Sequence, residues 1–293
     1  MRDYWLTREL LSIAGWGYLL LAVIAIGLAV WLPKQRKDKL IAGLIALGLF
    51  SILPIQVAKQ FMQEKQAQVE ASARLRQAQA LFEERCETAG EKIYKTVENV
   101  EGVLLMNTRQ SDRPGIQDNP LWPDAALPHE ATGDEYIRMF LYWEHDSGGG
   151  ARGFLNPDPV KAISRGYQFV DVKQADGTVL RYRLKEPGNR DKTDLVTEFV
   201  KGKASRYAVD FVNQVNPEDR AHWIAGTTIT LTDTQASEVI ATRESYSFEV
   251  GLGSKAGARQ PWAFAITCPS FSGWDGARTR FFVDQVLKPK QGE

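Results

Sequence analysis

Three residues that could perform acid–base or metal chemistry stand side by side, Glu144-His145-Asp146, directly before three consecutive glycines. Adjacent residues of a strand point to opposite faces, so Glu144 and Asp146 would share a face that excludes His145. This geometry is poor for three ligands on one metal ion. The two other histidines of the chain are isolated, and we interpret them as surface or capping residues.

Motifs for nucleophilic catalysis and for phosphate binding are incomplete. No serine occupies a Gly-x-Ser-x-Gly turn, and Lys255 follows Ser254 directly, whereas a Ser-x-x-Lys motif separates the two residues. The glycine-rich run at 148–153 lacks the Lys-Ser/Thr ending of a phosphate-binding loop. We therefore predict no catalytic residue, no metal ligand and no cofactor, and we expect that the protein is not an enzyme.

The chain contains two cysteines, Cys86 and Cys268. Two thiols of one domain in an oxidising compartment usually pair, and the alternative is a pair of buried free thiols. Two cysteines are too few for a structural zinc site made of thiolates. We predict a disulfide between Cys86 and Cys268, which would stabilise the domain by about 2 to 4 kcal/mol, chiefly by restricting the unfolded chain.

Two segments near the N-terminus, residues 10–32 and 40–58, are apolar and carry no charge. Each is close to the roughly 20 residues that a helix needs to cross a hydrocarbon core of about 30 Å. The loop between them, residues 33–39, holds four basic residues and one acidic residue, and the positive-inside rule places such a loop in the cytoplasm. We therefore predict a two-helix transmembrane hairpin at residues 1–58, with the N-terminus and residues 59–293 in the periplasm.

A cleaved secretory signal is the alternative interpretation of the first apolar segment. Such signals have a basic start, a shorter apolar core and a cleavage site of small residues. Here the core is 23 residues long, and the residues before it carry as many acids as bases. Residues 31–33, Trp-Leu-Pro, make a poor cleavage site. We therefore expect an uncleaved anchor in a bacterial inner membrane.

Residues 59–85 contain neither Gly nor Pro and are rich in residues of high helix propensity. At 1.5 Å per residue this helical stalk would extend about 40 Å. Apolar residues recur in it at about seven-residue spacing: Met62, Val69, Leu75 and Phe82. The spacing indicates either the seam of a dimeric coiled coil, which would give a homodimer, or one face packed on the globular domain. Because the apolar stripe is thin, a solvated stalk is the simplest interpretation.

Residues 86–293 are predicted to form one periplasmic domain of the α+β class, rich in antiparallel strands and ending in a helix. The predicted strands are residues 100–106, 136–145, 167–173, 178–185, 205–212, 223–232 and 238–250. The dipeptide Asp176-Gly177 predicts a tight hairpin turn between residues 167–173 and 178–185, and residues 223–232 and 238–250 are predicted to form a second, longer hairpin. A helical face is predicted at 93–97 and the C-terminal helix at 279–287, while the proline-rich segment 111–132 is predicted to be a loop.

Tryptophan and arginine are the residues most enriched at protein-binding hot spots, and the chain holds many of both. Trp122 and Trp274 lie in turn-rich segments, so we predict that they are exposed. Together with Arg278 they are the candidate partner-binding residues. The 36 basic and 36 acidic residues leave no net charge to attract nucleic acid, so we expect a protein partner and no nucleic-acid partner.

Several motifs of the C-terminal half carry a family resemblance: residues 223–227, 238–241, 261–265, the Cys268-Pro269 pair and residues 282–289. Over roughly residues 85–289 the chain resembles a family of largely uncharacterised proteobacterial inner-membrane-anchored periplasmic proteins. Some members resembling it occur beside genes for antibacterial effectors of contact-dependent secretion systems. The resemblance therefore implies an immunity role, in which the protein holds a periplasm-acting toxin inactive, and it brings no catalytic residue.

Together these observations predict a membrane-tethered periplasmic binding protein, an immunity-type inhibitor of an envelope-acting antibacterial effector. The main alternative is a structural or assembly component of a secretion or envelope complex that oligomerises through the stalk. An envelope hydrolase, with a triad assembled from distant residues, is a third interpretation, and a protein that binds small ligands or lipids is a fourth.

Overall fold

The structure is a computed structural model that describes residues 2–33, 35–110, 115–141, 166–186, 194–271 and 275–290. The chain divides into two compact units, Met1–Ala73 and Arg74–Glu293. It is an α+β protein in which long N-terminal helices precede a domain built on a mixed sheet. The expected helix-then-domain order is therefore confirmed.

The first unit consists of α1, Arg2–Trp31, and most of α2, Arg36–Thr88. The Tyr18 hydroxyl donates a hydrogen bond of 2.6 Å to the Phe50 carbonyl, which joins the two helices. Among the described residues, α2 is long and apolar enough to cross a membrane, and α1 contributes the apolar stretch Trp16–Trp31. One apolar helix is thus compatible with membrane anchoring, and the second span of the hairpin stays a prediction.

Strands β1 to β11 and helices α3 to α5 make up the rest of the second unit. The strands are Gly90–Ile93, Val97–Val100, Gly102–Leu105, Phe169–Lys173, Val179–Leu184, Leu195–Phe199, Tyr207–Gln214, Ile224–Asp233, Glu238–Phe248, Ile266–Cys268 and Leu287–Pro289. The helices are Gly133–Leu141, Pro217–Ala221 and Arg278–Val286. Short 3-10 turns occupy Ile116–Asp118, Pro123–Ala126, Ala256–Ala258, Pro261–Phe264 and Asp275–Ala277.

The large sheet has the order β1-β9-β8-β7-β3-β4-β5-β6, and β10 pairs with β9 beside β1. Strand β3 runs parallel to both of its neighbours, β4 and β7, while the remaining pairs in this sheet are antiparallel. The predicted antiparallel pairing is therefore wrong at the centre of the sheet, where β3 runs parallel to β4 and β7. Parallel neighbours need long crossover connections, and the long chain between β3 and β4, which contains α3, provides one.

Two hairpins predicted from the sequence are confirmed. Strands β4 and β5 turn through Asp176-Gly177, where Gly177 has φ 85° and the Asp176 carboxylate accepts from the Thr178 amide at 2.9 Å. Strands β8 and β9 pair along almost their whole length, with register from Ile224 opposite Phe248 to Asp233 opposite Glu238. The predicted C-terminal helix is also confirmed as α5.

Two local predictions are wrong. The first is the strand at residues 136–145, because residues 136–141 belong to helix α3, while residues 142–145 lie outside the described residues. Buried side chains at 136, 137, 140 and 141 follow the three-and-four spacing of a helix, although their aromatic and β-branched types suit a strand. The second is the helical face at 93–97, which is split between the end of β1 and the start of β2.

The main core lies between helices α3 and α5 and one face of the sheet. Alternate residues of the strands point into it, as Val103 and Leu105 do on β3 and Ile229 and Leu231 do on β8. From the helices, the core receives buried residues that include Phe140 and Phe282. A Tyr136–Phe140 edge contact, with ring centroids 5.7 Å apart, lies inside it.

The last turns of α2, from Arg74 on, belong to the second unit and pack on its sheet. Ala78 and Phe82 are buried against Phe248, with the two phenylalanine rings 5.4 Å apart. The Arg85 guanidinium donates to the Asp219 carboxylate at 3.1 Å, which fixes the end of the helix. For this part of the predicted stalk, the packed-face alternative is confirmed. Met62 and Val69, which belong to the first unit, are 72% and 63% exposed.

Candidate functional site

Cys86 and Cys268 form a disulfide, with their Cα atoms 5.8 Å apart, so the predicted pairing is confirmed. The bond joins the end of α2 to β10, the strand that pairs with the far end of β9. Both cysteines also pack against the small apolar cluster that contains Phe82 and Phe248. The chain segment that follows Cys268 directly is therefore held at a fixed place on the sheet.

The predicted exposure of Trp122 is wrong, because its side chain is 2% exposed. It packs with Ala225 and Trp262 under the turn Pro123–Ala126. That turn lies flat on the sheet, where the Ser247 hydroxyl donates to the Ala125 carbonyl at 2.6 Å. The prolines around Trp122 indicate a turn, but the sheet covers the inner side of this turn. The Trp122 side chain is therefore buried.

The other two candidate partner-binding residues have different outcomes. Trp274 lies outside the described residues, as does the Glu144-His145-Asp146 run with its glycines. Arg278 begins helix α5 and is buried, with its guanidinium 5.3 Å from the centre of the Phe271 ring and a hydrogen bond of 2.9 Å to the Thr267 hydroxyl. In the described part of the chain, no cluster of three His, Cys, Asp or Glu residues could hold a metal ion.

A pocket of about 360 Å³ lies between β1, β9, helix α5 and the segment that follows Cys268. Its lining consists of Gly90, Glu91, Arg243, residues 269–271, Phe281 and Gln285. Gly90 has φ 142°, a backbone conformation that favours glycine, and a Cβ placed there would meet no other atom. The pocket wall at Gly90 is therefore free of a side chain.

The floor of the pocket is an ion pair created by strand register. Glu91 on β1 stands directly opposite Arg243 on β9, and an Arg243 Nη1 to Glu91 Oε1 contact of 3.0 Å joins them. Arg243 Nε donates to the Ser245 hydroxyl at 3.2 Å. The Arg243 side chain is 3% exposed.

Burial is the main reason why the pKa of Arg243 lies below its ordinary value, and the nearby positive charge of Arg278 acts in the same direction. The carboxylates of Glu91 and Glu130 oppose both effects. A guanidinium nevertheless stays protonated in proteins, so the floor carries a buried cation.

Aromatic side chains form the walls above this cation. Phe271 and Phe281 meet edge to face, with ring centroids 5.0 Å apart. The guanidinium carbons of Arg243 and Arg278 lie 5.9 and 5.3 Å from the centre of the Phe271 ring, so two cations flank one aromatic face. The arrangement places the Arg243–Glu91 ion pair beside aromatic walls, and such a combination is typical of sites for small ligands or for one side chain of a partner.

Arg243 and Glu91 were not among the residues singled out from the sequence. Strand β9 was predicted from the sequence. A charged residue among the apolar residues of a predicted strand is a signal that could have identified Arg243 as a candidate. Glu91 offered no comparable signal, because the sequence placed no strand at its position. The two residues are 152 positions apart, so their pairing depends on the order of strands in the sheet.

A second buried polar cluster lies between α3 and α5. The Glu130 carboxylate is fully buried and accepts from the Thr279 backbone amide at 3.2 Å. Its burial raises the pKa of Glu130 from 4.5 to about 7, against the opposing pull of Arg109 and Arg278. Arg109 itself is paired with Asp124 at 2.5 Å. The cluster joins residues of distant segments inside the domain, and we assign it a structural role.

Stability should therefore fall as pH rises toward neutrality. Between pH 4.5 and about 7 the folded chain keeps a proton on Glu130 that the unfolded chain has lost. The free energy of unfolding should then decrease by up to about 1.4 kcal/mol per pH unit, and the contribution should be absent above that range. Denaturant unfolding at several pH values should show that the free energy of unfolding of the natural protein decreases over this range. The decrease should be absent in Glu130→Gln, which keeps an acceptor for the Thr279 amide. Parallel profiles for the two proteins would contradict the assignment.

Comparison with known proteins finds no matching family model, no matching curated protein and no matching solved structure. The resemblance to proteobacterial envelope proteins therefore stays a prediction.

Proposed function

We propose that the protein is a membrane-tethered periplasmic binding protein, an immunity-type inhibitor that holds an envelope-acting antibacterial effector inactive through protein contacts. The observation that carries this proposal is the Cys86–Cys268 disulfide, which joins the end of the apolar helix α2 to strand β10. Disulfides of bacterial proteins form and persist mainly outside the cytoplasm. A domain that contains a disulfide and follows a membrane-type helix is consistent with a location at the outer face of the inner membrane.

The surface of the second unit supports a protein partner. Leu121 and Phe264 are 53% and 58% exposed, although both are large and apolar. The segments that carry them are held together by a hydrogen bond of 2.9 Å from the Trp262 indole to the Asn119 carbonyl. Exposed apolar side chains on a rigid turn are typical of protein contact surfaces.

A membrane anchor gives such an inhibitor a physical advantage. It confines the binder beside the surface that an envelope-acting toxin attacks, which raises the local concentration of the binder without any new contact. The basic loop at residues 33–39 supports the orientation in which residues 59–293 face the periplasm.

The test is affinity capture from envelope extract with the full-length protein in nanodiscs, followed by toxicity assays of each stoichiometric partner. We expect a partner that is toxic when exported alone and harmless when co-expressed with the full chain. Phe264→Ser should weaken its capture, whereas Phe199→Ser, on the edge strand β6 and at least as exposed, should not. Recovery of second copies of the chain, or of several envelope components without toxicity, would favour the assembly alternative. A partner confined to the cytoplasm would overturn the proposed location.

A further inference from the structure

The pocket beside the disulfide exposes apolar surface next to an ion pair. Phe271 and Phe281 line it as an edge-to-face pair, and both side chains are only partly buried. Covering such apolar surface with an apolar group is favourable, because it removes that surface from water. The volume of about 360 Å³ is at the small end of ligand sites. The pocket therefore offers burial to one apolar group of the size of a single ring.

An aromatic ring gains more here than an aliphatic group. The planes of the Phe271 and Phe281 rings meet at 76° with centroids 5.0 Å apart, and a third ring can pack against them in the same edge-to-face geometry. Arg243 also lines the pocket, and a guanidinium attracts the face of an aromatic ring. It already makes such a contact with Phe271, at 5.9 Å. An aliphatic group of similar size would gain neither contact.

The charges around the pocket favour a neutral ligand. Arg243 contacts Glu91 at 3.0 Å, and the Glu130 carboxylate acts on both Arg243 and Arg278. Carboxylates of the protein thus already act on both guanidinium groups. A charged ligand would lose its hydration on entering the pocket, which is costly, whereas a neutral ring would not.

Glu91 supplies a polar partner for the ligand. Its Oε1 accepts from Arg243, and its side chain is 26% exposed. An ionised carboxylate has about four acceptor positions, so Glu91 can accept a further hydrogen bond while it keeps Arg243. Gly90 beside it has no side chain that would obstruct the approach. An O–H or N–H of the ligand would therefore find a charged acceptor, and hydrogen bonds to charged groups are the stronger ones.

We propose that this pocket binds a neutral aromatic group that carries a hydrogen-bond donor, a phenol or an indole. The donor bonds to the Glu91 carboxylate, and the ring packs against Phe271 and Phe281. The same chemistry occurs in a tyrosine or tryptophan side chain of a partner and in a small free phenol or indole, and the experiment below separates these two sources. The inference goes beyond the proposed function and rests on the pocket alone, so either can fail without the other.

The experiment is calorimetric titration of the full-length protein in nanodiscs, with the heats of empty nanodiscs subtracted. The buffer is at pH 8, above the pKa of about 7 of Glu130, so that this carboxylate carries its charge. One pair of probes is acetyl-Ala-Tyr-Ala-amide and acetyl-Ala-Phe-Ala-amide, which differ by the hydroxyl. The second pair is 4-methylphenol and 4-methylanisole, of which only the first can donate. The fifth probe is acetyl-Ala-Leu-Ala-amide.

Within each pair we expect the probe with the donor to bind about tenfold or more tightly, because its partner lacks the hydrogen bond to a charged acceptor. The phenylalanine peptide should bind several-fold more tightly than the leucine peptide, because leucine makes no ring contacts. Binding of 4-methylphenol without binding of the tyrosine peptide assigns the site to small free ligands. Binding of the tyrosine peptide assigns it to a side chain of a partner.

Two variants test the pocket itself. Glu91→Gln should reduce the advantage of the donor within each pair to about twofold or less and leave the donor-free probes unaffected, a pattern that unfolding would not produce. Ser270→Trp places a large ring at an exposed position of the lining and should abolish binding of all probes. It keeps the test valid if Glu91→Gln folds poorly. Glu198→Gln and Thr197→Trp, at exposed positions of β6, are the matched controls and should change no affinity.

Equal affinities within both pairs would overturn the proposal. The same conclusion would follow if the leucine peptide bound as tightly as the phenylalanine peptide, if Ser270→Trp left binding intact, or if no probe bound at millimolar concentration.

Discussion

Replacing both cysteines, Cys86→Ser with Cys268→Ser, is expected to lower the free energy of unfolding of the second unit by about 2 to 5 kcal/mol. The disulfide links positions separated by 182 residues, which encloses most of that unit in one covalent loop. The loss of chain entropy in the unfolded state grows with the length of the closed loop, so this bond belongs to the strongly stabilising range. Removing it leaves the folded contacts of Phe82 in place but frees the unfolded chain.

Denaturant unfolding of the full-length protein in nanodiscs, followed by tryptophan fluorescence, measures this effect. The midpoint of the natural protein should fall on addition of a thiol reductant to the value of the double variant. The double variant is its own control, because reductant should leave its midpoint unchanged. If reductant did not change the unfolding midpoint of the natural protein, the disulfide between Cys86 and Cys268 would be contradicted.

The disulfide also bears on the pocket. Residues 269–271 follow Cys268 directly and form one wall of it, while Gly90 and Glu91 lie a few residues beyond Cys86 and form another. One covalent bond therefore holds two walls of the same cavity. This arrangement connects the stability of the domain with the geometry of the pocket.

Asp171→Ala is expected to destabilise the second unit by about 3 to 5 kcal/mol. The Asp171 carboxylate is fully buried on β4, and it binds Arg181 on β5 through two hydrogen bonds of 2.7 and 2.9 Å. It also accepts from the Ser205 amide at 2.7 Å and from the Ser205 hydroxyl at 2.9 Å. Alanine would leave these donors without a partner, and the cost of an unpaired buried group exceeds the net worth of the pair.

Two further variants make this measurement specific. Asp171→Asn keeps the shape and an acceptor, so it should cost clearly less than alanine in the same unfolding experiment. Glu198→Ala removes the carboxylate of the neighbouring Arg183–Glu198 pair, in which both side chains are exposed. Exposed pairs contribute little, so this variant should stay close to the natural protein. If Asp171→Ala and Glu198→Ala lowered the free energy of unfolding equally, burial would not determine how much these cross-strand pairs contribute to stability.

Features that depend on neighbouring residues could be predicted from the sequence. The Asp176-Gly177 dipeptide predicted the β4–β5 hairpin, because glycine readily adopts the positive φ that Gly177 has in this turn. Length and apolarity identified α2 as a membrane-type helix, and three-and-four spacing at residues 282–287 predicted α5. The disulfide also followed from composition, because the chain offers two cysteines and therefore one pairing.

Only the tertiary structure decided the features that depend on residues far apart in the chain. The parallel placement of β3 between β4 and β7, the helical state of residues 136–141 and the burial of Trp122 all follow from which surfaces come to cover these segments. The candidate site belongs to this group too, since Glu91 and Arg243 meet through the pairing of β1 with β9. Local sequence patterns specify the conformation and the faces of a segment, but contacts between distant segments depend on the whole core, so the pocket could not be predicted before the sheet order was known.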